Sequence, residues 1–224
     1  VLPTNQKAYN ASAGEKMPSV SVDGAGSVSV NILNSDTAAM IDRSTIAIED
    51  AADAKKGEVS VKAKDSAVMA AVSGAAAVSW KNTSTQQNES NMSVGIAGAA
   101  GVNVLDTDTL SLIRDTKIEN AGTISNQAGK SGAAVATGLG FSLSNEASKQ
   151  KKDPDVGMAA SLSVNRDENR IYALMQDNAV NTDQATGTDT RKTTVENHAY
   201  DTDIEVAGGA SISIVKGGST GVAI

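Results

Sequence analysis

Two pairs of carboxylates, Asp106-Thr-Asp108 and Asp201-Thr-Asp203, stand two residues apart in the chain. Side chains at that spacing project from one face of an extended strand. Each pair therefore offers hard oxygen ligands to one side, as part of a Ca²⁺ site would. A complete site needs six or more oxygens, so the competing reading is that these are ordinary turn aspartates. The single histidine, His198, lies in Val-Glu-Asn-His-Ala-Tyr beside Glu196 and Asp201. A catalytic role would require one of those carboxylates and a serine, but the sequence has no Gly-x-Ser-x-Gly elbow. It also has no second histidine to complete a metal site. His198 is thus read as a solvated loop or strand-face residue, and no catalytic, cofactor-binding or metal-ligating residue is assigned. Trp80-Lys81 is the best candidate for a surface anchor, but the reading taken is a tryptophan filling a coil corner. The charged run from Lys149 to Asp155 reads as a solvated loop.

Composition narrows the chemistry further. Cysteine is absent, which excludes disulfides, thiolate–zinc sites and cysteine nucleophiles. The formal charge of −7 and sequence pI of about 4.7 argue against nucleic acid or an anionic membrane as the main partner. No apolar run approaches the length of a transmembrane helix, so no stable membrane insertion is expected. The aromatics are Trp80, Phe141, Tyr9, Tyr172 and Tyr200. A thick core normally uses many large aromatics. The scarcity here predicts a thin core of small and β-branched residues, and offers few platforms for the sugar rings of a polysaccharide substrate.

The elements that position these residues come from a repeat. Gly26 to Ile46 (GSVSVNILNSDTAAMIDRSTI) recurs 72 residues later as Gly98 to Ile118 (GAAGVNVLDTDTLSLIRDTKI). A third copy, ASLSVNRDENRIYALMQDNAV, follows 62 residues on and ends at Val180. Val61, Val72 and Val78 correspond to Val195, Val206 and Ile212 at a shift of 134, and Gly132 to Leu143 fits loosely between them. The units begin near residues 26, 98 and 160. Insertions fall in the polar stretches Thr83 to Asn91, Asn145 to Asp155 and Asn181 to Lys192, as expected where loops leave a regular stack.

Val28, Val30 and Ile32 alternate with small polar residues, as do Val59 and Val61, Leu162 and Val164, and Ile212 and Ile214. That period of two predicts half-buried strands. Turn signals at Asp23-Gly24, Asn34-Ser-Asp36, Lys56-Gly57, Asn120-Ala-Gly122, Gly208-Gly209 and Gly217-Gly218 divide them into short pieces. Short strands repeated this often predict an all-β fold, a right-handed parallel β-helix (β-solenoid). With coils of roughly 20 to 25 residues, the chain as a single segment (1–224) holds about nine to eleven coils in a rod some 45 to 50 Å long. Val30, Ile41, Ile46, Val61, Val102, Ile113, Ile118 and Val164 are expected to point inward. Asn31, Asn103 and Asn165 are expected to stack as an amide ladder. Helix is conceivable at the Ala-rich stretches Asp36 to Arg43 and Ser66 to Ala77, but the second contains Val68, Val72 and Gly74 and lacks a charged face, so it is read as strand or tight coil.

The stretch GAGSVSVNILNSDTAAMIDRSTIAI, followed by GEVSVKAKDSAVMAAVSGAAAVS, resembles the repeat region of very large bacterial exoproteins of the fusobacterial leukotoxin type. More broadly it is similar to filamentous-haemagglutinin-like and autotransporter passenger repeats. The pattern covers roughly Val20 to Ile224, is specific for architecture rather than activity, and has no match in residues 1–19. The resemblance implies type V export through an outer-membrane transporter, by an autotransporter or two-partner route. It also implies a β-helical passenger secreted or held at the cell surface, with a role in adhesion or cytotoxicity. The expected function is that of a non-catalytic toxin or adhesin segment, a virulence factor presenting a rod and loops to a host-cell protein or glycan. The alternative is a fragment of a β-helical polysaccharide lyase or hydrolase. The chain begins at Val1 with no signal peptide, so any targeting segment would lie outside it. Gly-Gly-Ser-Thr-Gly-Val-Ala-Ile224 reads as the opening of another unit, which predicts a longer parent.

Overall fold

Alternation persists along this chain far beyond the length of an ordinary strand. A computed structural model describes residues 19–49, 57–81, 91–146, 155–181, 193–216 and 220–224. Every element among them is a strand: β1 (Ser19–Asp42), β2 (Thr45–Ala47), β3 (Glu58–Lys81), β4 (Asn91–Arg114), β5 (Lys117–Glu119), β6 (Thr123–Glu146), β7 (Asp155–Gln176), β8 (Ala179–Val180), β9 (Thr194–Lys216) and β10 (Thr220–Ala223). Three parallel sheets result, with orders β1-β4-β7-β10, β2-β5-β8 and β3-β6-β9. The chain is a parallel β-solenoid.

Its coils are much larger than the sequence suggests. Val30 pairs with Val102 and Val102 with Val164, so one whole repeat makes one turn of the solenoid. There are three full layers and the start of a fourth, where β10 lies on β7, in place of nine to eleven coils. A 24-residue strand spans about 80 Å, whereas three layers rise only about 10 to 15 Å. The molecule is a broad plate rather than a slender rod. Asp23-Gly24, Asn34-Ser-Asp36 and Gly208-Gly209 lie within continuous strands, not at turns. The long faces also shift the second correspondence. β3 pairs with β6 at 65 residues and β6 with β9 at 71, so Val61 aligns with Asn197, and Val59 with Val195. The insertion 83–90, most of 145–155 and most of 181–192 lie outside the described residues, as does the Gly217-Gly218 signal.

Real corners fall at equivalent places in successive layers. Arg43, Asp115 and Asp177, which follow β1, β4 and β7, all adopt left-handed backbone with φ of 46° to 51°. Their amides continue the ladder: Arg43 donates to the carbonyl of Arg114, and Asp115 to that of Gln176. The next corner is held by Asn120 and Asn181, also left-handed, a conformation asparagine tolerates better than most residues. Asn120 Nδ2 donates to the Ile48 carbonyl, locking one layer to the next. Between these corners Ile46, Ile118 and Val180 line the interior with Ile41, Ile113, Met175, Val59, Val61 and Ile124. Ile113, Ile118 and Ile124 are fully buried.

Elsewhere the interior is not apolar in the expected sense. Val30, Val102 and Val164 point outward, and Val30 is 53% exposed. Their neighbours Asn31, Asn103 and Asn165 point inward and form the ladder: Asn31 Nδ2 donates to Asn103 Oδ1 and Asn103 Nδ2 to Asn165 Oδ1, each at 3.0 Å. The reason is the spacing of the two large sheets. Ala71, Ala77, Ala97, Ala99, Ala134, Ala136 and Ala159 fill the gap between β1-β4-β7 and β3-β6-β9. A Cβ on Gly101 would stand 2.9 Å from the carbonyl oxygens of Ala71 and Thr137, and one on Gly140 would stand 2.6 Å from that of Ala160. Where the sheets press this close a valine does not fit inside, so most of the larger β-branched residues of the long strands face out, while Leu33, Leu105 and Met69 pack together farther along. Truncating Ile118 to Ala should therefore cost about 2 to 5 kcal/mol, while Val30→Thr should change stability by less than about 0.5 kcal/mol. Urea unfolding of both variants checks this, and a Val30 effect as large as that at Ile118 would overturn the face assignment.

Candidate functional site

The inward alternation places charge as well as alanine between the sheets. On the β3-β6-β9 sheet, Asp65, Lys130 and Asp201 form one inward column and Ala67, Gly132 and Asp203 the next. On the facing sheet, Leu33, Leu105 and Asp167 form one column and Ser35, Thr107 and Asn169 another. The two sets meet at Lys130, whose side chain is fully buried. Lys130 Nζ lies 2.8 and 3.0 Å from the two carboxylate oxygens of Asp167 and 2.6 Å from Asp203 Oδ2, and it also donates to Asn169 Oδ1.

Asn169 is held on every side. Thr107 Oγ1 donates to its carbonyl oxygen at 2.7 Å, and Thr107 is fully buried. Its amide nitrogen donates to Asp201 Oδ2 at 2.8 Å and to Asp203 Oδ2 at 3.3 Å. Acid outnumbers base in this interior. Asp203 Oδ1 and Asp65 Oδ2 are buried without a hydrogen-bond partner. Asp65 itself is 8% exposed.

The environment sets the protonation states. Burial opposes charge on Lys130, but hydrogen bonds to Asp167 and Asp203 outweigh it and raise its pKa above the usual lysine value. Burial likewise pushes Asp167 up, yet the hydrogen bonds from Lys130, Asp203 and Asn169 hold its carboxyl below the ordinary range. Glu205 has only the Lys130 charge to oppose the shift, and burial first, then the Asp167 charge, raise its pKa.

The sequence-level candidates land in different places. Asp106 and Asp108 point outward from β4 and are exposed. The cation facing them is Arg170 of β7, whose Nε lies 2.5 Å from Asp108 and whose Nη2 lies 3.1 Å from Asp106. Arg166 and Glu168 pair beside them on the same face. Asp201 and Asp203 point inward and face Asn169 and Lys130. Among the described residues, no group of three or more acidic or histidine side chains is arranged to hold a metal ion. His198 sits on the outer face of β9 and is exposed. The side chains of Trp80 and Lys81, and the 149–154 part of the charged loop, lie outside what is described.

Sequence reasoning missed Lys130, Thr107, Asp167 and Asn169. Their signal was one of register: Lys130 stands amid Gly and Ala, where a charge is tolerated only if a facing strand supplies carboxylates.

A second feature is on the outside of the β3-β6-β9 sheet. Val68, Val72, Leu139, Ile204, Val206 and Ile212 are all about half exposed or more. Leu139 and Ile212 also line a shallow, largely apolar depression of about 420 Å³ on this face, together with Gly74, Phe141 and Ala210. Contiguous apolar patches of this kind usually mark interaction surfaces.

Compared with known proteins, the chain matches no family model, no curated protein and no solved structure.

Removing Lys130 as Lys130→Met should leave carboxylates buried and unpaired, at a cost of about 3 to 5 kcal/mol near neutral pH. The pH dependence should also change sign. In the parent chain Glu205, with its raised pKa, favours folding as pH falls toward about 4.3. Asp167, with its lowered pKa, contributes stability above about pH 3.9 that is lost as pH falls through its folded value. Stability should therefore rise slightly from neutral pH to about pH 4.5, then drop. Lys130→Met should keep gaining stability below that point, because its orphaned carboxylates gain protons. Urea midpoints from pH 3 to 7 test this, and parallel curves for the two proteins would rule out the ion cluster as their origin.

Proposed function

We propose that this chain is a non-catalytic segment of a secreted or surface-held bacterial exoprotein, of the leukotoxin or adhesin kind. It presents a broad, repetitive β-surface to host cells. The observation that carries this reading is the outer face of the β3-β6-β9 sheet. Three stacked layers place valine, leucine and isoleucine outward in one column there, Val78 over Leu143 and Ile214, and Val68 and Ile204 flank Ala133 in another. Maintaining such a surface in water is unfavourable unless something covers it.

The depression at Leu139, Phe141 and Ile212 suits an apolar side chain, and so a host-cell surface protein rather than a glycan. Stacked strands with few large residues inside also suit a passenger that must cross an outer-membrane transporter before folding. The densest charge cluster supports the non-catalytic reading. Its lysine is fully buried between two sheets, out of reach of a polymeric substrate.

The test is binding of the fluorescently labelled chain to host cells. Leu139→Lys combined with Ile212→Lys should weaken binding at least about tenfold, since each places a charge in the apolar contact. Lys62→Ser, on the polar end of the same face, should leave binding unchanged. Circular dichroism should be the same for all three. Absence of saturable binding by the parent chain, or equal binding by the Lys double variant, would refute the proposal.

A further inference from the structure

A buried primary amine in contact with a carboxamide is a reactive pair when the amide is polarised and its nitrogen has somewhere to take a proton. The Lys130–Asn169 contact meets each of these requirements. Lys130 Nζ touches Asn169 Oδ1, one bond from the amide carbon. Thr107 Oγ1 donates to that same oxygen at 2.7 Å, where negative charge would develop. Asp203 Oδ2 lies 2.6 Å from Lys130 Nζ and 3.3 Å from Asn169 Nδ2, so a single oxygen touches both the nucleophile and the leaving group. Asp201 Oδ2 holds the leaving nitrogen from a second direction, at 2.8 Å. Water has little access: the Lys130 side chain is fully buried and Thr107 is fully buried.

We propose that Lys130 and Asn169 form an intramolecular isopeptide bond, a self-made crosslink between the two large sheets of the solenoid. The Lys130 ammonium passes a proton to Asp203, and the free amine attacks the Asn169 amide carbon. A tetrahedral intermediate forms with its oxyanion on the Thr107 hydroxyl. Asp203 returns the proton to Nδ2, the Cγ–Nδ2 bond breaks, and ammonia leaves. Asp203 then carries the second Nζ proton to the ammonia, which departs as ammonium, and the Nζ–Cγ bond remains as a secondary amide. Nothing is oxidised or reduced, and no co-reactant is needed. The positions of the groups fit this order of events: one acid–base group shared by both nitrogens, and a separate donor for the oxygen.

The bond would join β6 of the second layer to β7 of the third, and once formed it replaces the Lys130 ammonium with a neutral amide, so the pH comparison for Lys130→Met is made against Asn169→Ala, which keeps the ammonium. It would tie one large sheet to the other and one turn of the solenoid to the next, without cysteine. Fixing the facing sheets covalently acts on the unfolded chain as a disulfide does, by closing a loop.

Intact-mass measurement of the purified 224-residue chain tests this. The parent chain should be lighter than its sequence mass by about 17 Da, the mass of the ammonia lost when the amine displaces the amide nitrogen. Trypsin should fail to cut at Lys130, and digestion should release a branched peptide containing Lys130 and Asn169. Lys130→Arg and Asn169→Ala should restore the full mass. Thr107→Val, which removes only the oxyanion donor, should slow bond formation about a hundredfold or more while leaving circular dichroism unchanged. A parent chain of full sequence mass, cut normally at Lys130, would overturn the proposal whatever the variants do. A loss of about 18 Da (the mass of water) mapping to Lys130 and Asp167 would overturn the assignment to Asn169.

Discussion

The constraint on which this structure depends is how closely two broad sheets approach. Alanine, glycine and serine occupy most of the inward positions between them, and at Gly101 and Gly140 a single methyl would collide with a facing carbonyl. A gap this narrow gains less from burying bulk than an ordinary core does. What it gains instead is dense contact along strands of 22 to 24 residues. The bulky apolar residues concentrate at the Ile41–Ile46–Ile113–Ile118 corner, where a third short sheet widens the interior. The molecule thus has an apolar hinge at one end and a thin laminate along its length.

The same constraint explains why the outer surface is apolar. β-branched residues suit extended backbone, and the chain uses them in every layer. With the narrow middle of the interior closed to them, Val28, Val30, Ile32, Val72 and Val206 face outward. The surface proposed to meet a host cell and the small-residue interior are therefore two results of one packing decision. Near the polar end of the β3-β6-β9 sheet the pattern relaxes, and Lys62, Gln127 and His198 share a column.

The sequence made the layer spacing legible on one face. The match of Val30 to Val102 and Val164 is the observed pairing register, and the Met175 to Val180 echo of Ile113 to Ile118 is the observed corner. It also exposed the asparagine ladder. It did not reveal that one repeat is one turn, because Asp23-Gly24 and Asn34-Ser-Asp36 carry the residues of turns. In this stack they lie in extended backbone within β1. Nor could alternation say which parity is inside. A period of two fixes that Val30 and Asn31 face opposite ways, but the choice between them was made by the facing sheet, which a local pattern does not contain. Lys130 was illegible for the same reason: its partners Asp167 and Asn169 are 37 and 39 residues away, on the other sheet.

The buried polar groups then have a structural task that alanine cannot perform. Runs such as Ala67-Val-Met-Ala-Ala71 opposite Gly132-Ala-Ala-Val-Ala136 would pair almost as well after sliding by two residues, since the same parity stays inside. A slip of two in the β1-β4-β7 sheet would set Asn103 against Ser29 or Leu33 in place of Asn31, breaking the amide ladder at the fully buried Asn103. A slip of two between β6 and β9 would set Asp203, rather than Asp201, beside Lys130 in the column. Asp203 would then leave the place where it bridges Lys130 and Asn169. Buried polar groups cost free energy wherever their partners are missing, so each wrong register is penalised while the right one is not. In a laminate of small residues, where hydrophobic packing discriminates weakly between registers, the asparagine ladder and the Lys130 cluster are what make one alignment of these long strands better than its neighbours.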